Sequence, residues 1–131
     1  MIRILIASAC IGLTACAAAP EPAPTFALSA DLSCNAGESV GPTGETHAIP
    51  ISLHVPAAGG EGRFCIATGC EDAQFTPAAS AQGWAARMTT NDRTSYAADL
   101  QIARDLRTFT LRQVSEEGAT VWSGECSAAG S

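Results

Sequence analysis

The sequence predicts a mostly β domain, a small antiparallel barrel or sandwich with two disulfides, behind an N-terminal signal segment. Three observations lead there. Apolar residues recur at every second position through much of residues 25–131, the period of a half-buried strand. Turn-forming residues separate these runs. Four cysteines remain beyond the N-terminal segment, an even number that suits disulfides in an exported domain. A chain of 131 residues leaves room for one such domain.

The strands follow in chain order. Phe26, Leu28, Ala30, Leu32 and Cys34 share one face, with Ala27, Ser29, Asp31 and Ser33 opposite. A loop rich in Gly and Pro is expected at 35–48. Ile49, Ile51, Leu53 and Val55 then alternate with Pro50, Ser52, His54 and Pro56, and a second loop is expected at 56–62. Residues 84–126 read as a four-stranded meander. Its inward sets are Trp84, Ala86 and Met88; Tyr96, Ala98, Leu100 and Ile102; Phe109 and Leu111; and Trp122 with Cys126. Asn91-Asp92, Arg104-Asp105 and Glu116-Glu117-Gly118 mark the turns between them. A helix over 95–106 competes with the second of these strands, but the alternation and the flanking turns favour a strand.

Cys34, Cys65, Cys70 and Cys126 allow three pairings. Cys65 and Cys70 bracket a four-residue segment with Gly69 where a turn would want it, whereas Cys34 and Cys126 end the first and last strands on inward faces. The favoured pairing is therefore 65–70 with 34–126. Each bridge restricts the unfolded chain and contributes ~2–4 kcal/mol.

Residues 1–15 carry one charge, Arg3, and then a ten-residue apolar run at 4–13. That is about half of the ~20 residues that span a bilayer, and it fits the apolar core of an export signal. Leu13-Thr14-Ala15-Cys16 resembles the lipobox of bacterial lipoproteins. The resemblance implies cleavage before Cys16 and acylation of Cys16, so that acyl chains hold the domain on a membrane of the cell envelope. In a Gram-negative cell, Ala17 and Ala18 imply the outer membrane, facing the periplasm. Ordinary secretion is the alternative, since Ala15-Cys16-Ala17 and Ala17-Ala18-Ala19 also fit the small-x-small cleavage pattern. Residues 16–24 then form a lipidated Cys and an Ala/Pro tether, AAAPEPAP after the Cys, with a reach of about 3.1 Å per residue when extended. The β domain is 25–131.

The remaining chemistry is sparse. Thirteen acids face seven arginines and no lysine, a net charge of −6 that argues against nucleic acid as a partner. His47 and His54 lie too far from Cys65 and Cys70 in spacing for a structural zinc site, so no metal is expected. Glu71-Asp72 and Glu116-Glu117 point their members to opposite faces of a strand and make poor acid/base pairs. Gly59-Gly60-Glu61-Gly62 lacks the Lys-Ser/Thr and the helix of a phosphate loop, and no nucleophile elbow occurs. Neither a cofactor nor catalysis is expected. Charge does have a direction: residues 17–72 hold seven acids against one arginine, residues 73–114 three acids against five. Arg87 and Arg112 fall on outward faces of the meander and form a candidate anion-facing surface.

Lipobox, tether, small β domain and a Cys near each end also resemble the layout of the bacterial membrane-bound inhibitors of C-type lysozyme. Those proteins carry a Ser-Gly-x-x-Tyr loop, whose nearest counterpart here, Thr94-Ser95-Tyr96, has no Gly and a different spacing. No inhibitory residue carries over. The expected function is a lipid-anchored, non-catalytic binding or structural module of the envelope, with a protein or glycan partner; the alternative is an inhibitor of a hydrolase such as lysozyme.

Overall fold

The computed structural model describes residues 28, 30–67, 69–90 and 96–129. Cys16, the signal at 1–15 and the tether to 24 lie outside the described residues, as do Phe26, Ala27 and Asn91-Asp92. Ten strand segments follow one another: β1 (Leu32–Ala36), β2 (Ser39–Val40), β3 (Thr46–His47), β4 (Ile51–Val55), β5 (Gly60–Ile66), β6 (Gly69–Ala78), β7 (Gly83–Thr90), β8 (Tyr96–Ala103), β9 (Thr108–Ser115) and β10 (Gly118–Ala128). Eight of them close into an antiparallel barrel, because β1 pairs with β4 on one side and with β10 on the other. Of the barrel and the sandwich that the alternation allowed, the barrel is what forms.

β2 and β3 prolong the first hairpin. Asn35 pairs with Glu125 and Ser39 with Trp122, so four residues of the first strand span three of β10. Ala36 pairs with Ile51 and Ser39 with His47, so three residues oppose four on the return strand. One extra residue on each strand is the signature of a bulge, and it brings both Ala36 and Ser39 inward at a spacing of three. The Trp122 indole Nε1–H crosses this break and donates to the Ile49 carbonyl at 3.1 Å.

The wall is apolar inside and charged outside, the reverse of what a membrane-spanning barrel needs. Phe75, Met88, Leu100, Ile102, Leu111 and Val55 are fully enclosed, with Trp84, Phe109 and Trp122 beside them. Arg63, Asp72, Arg87, Asp99 and Arg112 stand outside. Meander strands β7 to β10 place every apolar residue expected inward on the interior side; Tyr96 and Cys126 stay half-buried at its margin. Residues 96–103 form β8 in place of the competing helix.

Four expectations need correction, the simplest being Ile49, which lies exposed ahead of β4 and not in its buried row. The first strand starts at Leu32, so of its early inward set Leu28 is buried and Ala30 half-exposed ahead of the strand. The loop expected at 35–48 holds the end of β1, all of β2 and β3 and the bulge, whose change of phase broke the alternation. The loop expected at 56–62 gives way to strand at Gly60, and a paired hairpin, β5–β6, fills 60–78. Gly62 belongs to that strand for a packing reason. A Cβ there would collide with the His54 carbonyl and press on the Phe75 ring and Pro56, so the glycine lets β4, β5 and β6 close together. Gly124 does the same for the seam, its missing Cβ making room for the Asn35 carbonyl.

Both disulfides have the favoured pairing: Cys34–Cys126, 92 residues apart, and Cys65–Cys70, five apart. Each joins residues directly opposite in a ladder, with Cα atoms 4.0 Å apart. The barrel has two unlike ends. The chain enters at Leu28–Leu32 beside the turns at 56–59, 79–82 and 104–107, where the Asp31 carboxylate caps the Ala57 amide at 2.8 Å. At the far end lie the tip of the first hairpin at 41–45, the adjoining ends of β5 and β6 and of β7 and β8, and the β9–β10 turn.

Candidate functional site

Successive hairpins bring the outward residues of β7, β8 and β9 into rows. Arg87 lies opposite Asp99, and Asp99 opposite Arg112. With neighbouring strands ~4.8 Å apart, the two arginines are about 10 Å apart at the backbone. The Arg87 Nη1 donates to Asp99 Oδ1 at 2.8 Å. The Arg112 guanidinium makes no hydrogen bond or ion pair among the described residues. Its five donors are thus not shared with any described residue.

The adjacent row is low. Ala78 faces Ala85, Ala85 faces Gln101, and Gln101 faces Thr110. Two methyl side chains between longer neighbours leave a shallow groove of about 310 Å³, lined also by the edges of Ala86 and Leu100 and bounded by Arg87, Asp99 and Arg112. Gln101 is pinned in it, its amide donating to the Trp84 carbonyl at 3.3 Å and accepting from Ser80 at 3.1 Å. The groove joins an apolar floor, one free guanidinium and one carboxylate, which is chemistry for binding a charged molecule.

A second polar concavity lies on the opposite wall, between β4, β5 and β6. His54 is opposite Arg63, and Arg63 opposite Asp72, with Glu61 beside them. His54 Nε2 is 3.6 Å from Asp31 Oδ2, both exposed. Ser33 of β1 lies directly opposite His54 in the ladder, and Asp31 stands outside the lining of the concavity. Among the described residues no group of three or more His, Cys, Asp or Glu could hold a metal ion. His47 is on β3 at the far end, and Cys65 and Cys70 are bonded to each other.

The far end has its own character. Its 41–45 turn is internally braced: the Thr43 amide donates to Glu45 Oε2 at 2.9 Å, the Thr43 hydroxyl donates to the same oxygen, and the Gly41 amide donates to the Glu45 carbonyl at 2.7 Å. The Thr43 hydroxyl chiefly holds the Glu45 carboxyl below its usual range. Pro42 abuts Gly118, so this turn touches the one bearing Glu116 and Glu117. Val40 and Val114 stand exposed just behind them, at 46% and 60%. Tyr96 stacks on Phe64 with ring centroids 5.2 Å apart, and burial pushes its phenol up to about 12. Among the described residues, the buried hydroxyls of Ser39, Thr90 and Tyr96 have no hydrogen-bond partner.

Of the residues singled out from the sequence, Arg87 and Arg112 come together on one face, and the four cysteines form the two bridges; Cys16, Thr94 and Ser95 lie outside the described residues. Sequence reasoning had Asp99 among the acids that offset these arginines but did not place it between them, and it missed Ala78 and Ala85 as the floor. The signal existed: with outward positions assigned on three consecutive strands, Arg87, Asp99 and Arg112 fall in register once the connections are counted. Comparisons with protein-family models, with curated proteins and with solved structures each find no match to this chain.

Proposed function

We propose that the chain is a lipid-anchored module of the bacterial cell envelope that binds a partner on its outer surface and performs no catalysis. The observation that carries this reading is the filled barrel. Its interior is occupied by Phe75, Met88, Leu100, Ile102 and Leu111, so a partner must use the outer wall or the loops. A fold of this kind holds a rigid surface, and the groove beside Arg112 offers a place for a charged partner. The polarity of the barrel supports the anchor. A chain acylated at Cys16 enters at one end and leaves the braced turns at the other, directed away from the membrane. Replacing Cys16 by Ser tests it: the parent is expected in the membrane fraction with acyl mass, the variant in the soluble fraction. Parent and variant both soluble would remove the anchor. Recovery of no protein or glycan from crosslinked envelopes would count against the binding role.

A second reading, an inhibitor of a hydrolase such as lysozyme, is favoured by one feature. The braced, acidic tip formed by Glu45, Glu116 and Glu117 projects at the far end and suits insertion beside a basic enzyme's cleft. Of the two loops expected from the sequence at 35–48 and 56–62, the first reaches that end, whereas the 56–59 turn lies at the end where the chain enters. Lysozyme activity unchanged by excess protein would sink this reading.

A further inference from the structure

The outer wall of the meander carries a charge order that selects a ligand. Along one row stand Arg87, Asp99 and Arg112, positive, negative and positive over about 10 Å. The row beside it is floored by Ala78 and Ala85, with the Thr110 hydroxyl at its end. A simple anion fits this poorly, because Asp99 sits between the two cations and repels it. The complement of the row is acid, base, acid: one carboxylate toward Arg112, an ammonium toward Asp99, and a second carboxylate toward Arg87. The Asp99 carboxylate bonds Arg87 through Oδ1 and keeps Oδ2 for such an ammonium. The groove of about 310 Å³ is floored by Ala78 and Ala85, which suits a chain with small side chains.

We propose that this strip binds a short peptide in which an ammonium lies among carboxylates and the other side chains are small, the chemistry of the stem peptides of a bacterial wall. The assignment rests on the envelope-binding reading and names the ligand for it. Guanidinium–carboxylate pairs at Arg112 and Arg87 supply directional, bidentate contacts, and the ammonium at Asp99 sets the register in which the peptide lies.

The test is calorimetric titration of the full-length protein, in detergent micelles, with synthetic L-Ala-γ-D-Glu-meso-diaminopimelate. Saturable binding at one site per chain is expected. Arg112→Gln and Asp99→Asn should each weaken it by about tenfold or more, since each removes a charge-assisted contact. Arg63→Gln, on β5 in the opposite wall of the barrel, should leave it unchanged. Circular dichroism and the melting temperature confirm that the variants fold, as expected for exposed positions. No saturable binding overturns the proposal. So does equal binding by all variants, or displacement of the peptide by equimolar inorganic phosphate, which would make the strip a general anion patch. Fractionation of Cys16→Ser separates the two failures. An acylated, membrane-bound chain that ignores the peptide loses the ligand assignment alone; a soluble chain that binds the peptide keeps the site and loses the anchor.

Discussion

The meander β7–β10 and the first hairpin β1–β4 build the same kind of wall by different means. In the meander the register never slips: eight consecutive pairs join β7 to β8, four join β8 to β9, and eight join β9 to β10. In the first hairpin the pairing slips by one residue on each strand at the bulge, so that β1 and β4 align for five pairs and β2 and β3 for two. Continuous pairing is held by many equivalent contacts. The broken hairpin is held by a few long-range links: Cys34–Cys126, the indole of Trp122 on Ile49, and the Asp31 carboxylate on Ala57. A wall with a slipped register needs individual fasteners where an unbroken one does not.

The largest test removes the main fastener. Replacing Cys34 and Cys126 by Ala should cost about 4–5 kcal/mol, because the bridge closes a long loop in the unfolded chain. A calorimetric melt reads this, and a loss no greater than that of the short bridge would show that the seam is held by its ladder. Replacing Cys65 and Cys70 by Ala should cost only about 2 kcal/mol by the same loop argument.

Trp122→Phe removes the donor to Ile49 and should cost about 1–2 kcal/mol. Its sharper readout is local: amide exchange at 46–51 should quicken while that at 108–115 stays slow. Uniform quickening would mean that the bulge does not depend on this link.

Tyr96 gives a pH test at the far mouth of the barrel. Its phenol is raised to about 12 by burial, above the ordinary value of 10.0, so the neutral form is the one the fold favours. Stability from this source is complete below pH 10 and is lost as pH climbs from there toward 12. Tyr96 is the chain's single tyrosine, so absorbance at alkaline pH reports it alone. A titration midpoint near 10 would show an exposed ring and undo the stacking on Phe64.

The smallest effect belongs to the outer wall. Arg87→Gln breaks an exposed pair with Asp99 and should change stability by less than about 1 kcal/mol. A larger loss would make the charge row structural and weaken its case as a binding strip.

Much of this was legible in the residues. Trp84, Ala86, Met88, Leu100, Ile102, Phe109 and Leu111 announce a buried face by alternation alone, and the short connections fix their order. The long bridge followed from the inward faces that Cys34 and Cys126 share, the short one from the turn signal between Cys65 and Cys70. β5 and β6 were not legible, because Gly60 and Gly62 carry turn signals while serving close packing, and Phe64 and Phe75 are too sparse to set a period. The bulge hid β2 and β3 by shifting the phase between Ala36 and Ser39. The groove was half legible: residue types named the two arginines, but a floor of alanines has no signature until strands lie side by side.

Barrel closure has a consequence for life at high density. Among the described strands, the open side of the ten-stranded order falls on β3, two residues long and bearing exposed Thr46 and His47. Strand edges are where chains template one another into aggregates, and a short polar edge offers little to template on. Chains gathered on a two-dimensional surface meet far more often than chains in bulk, so a barrel with so little edge can be crowded there without its sheets joining.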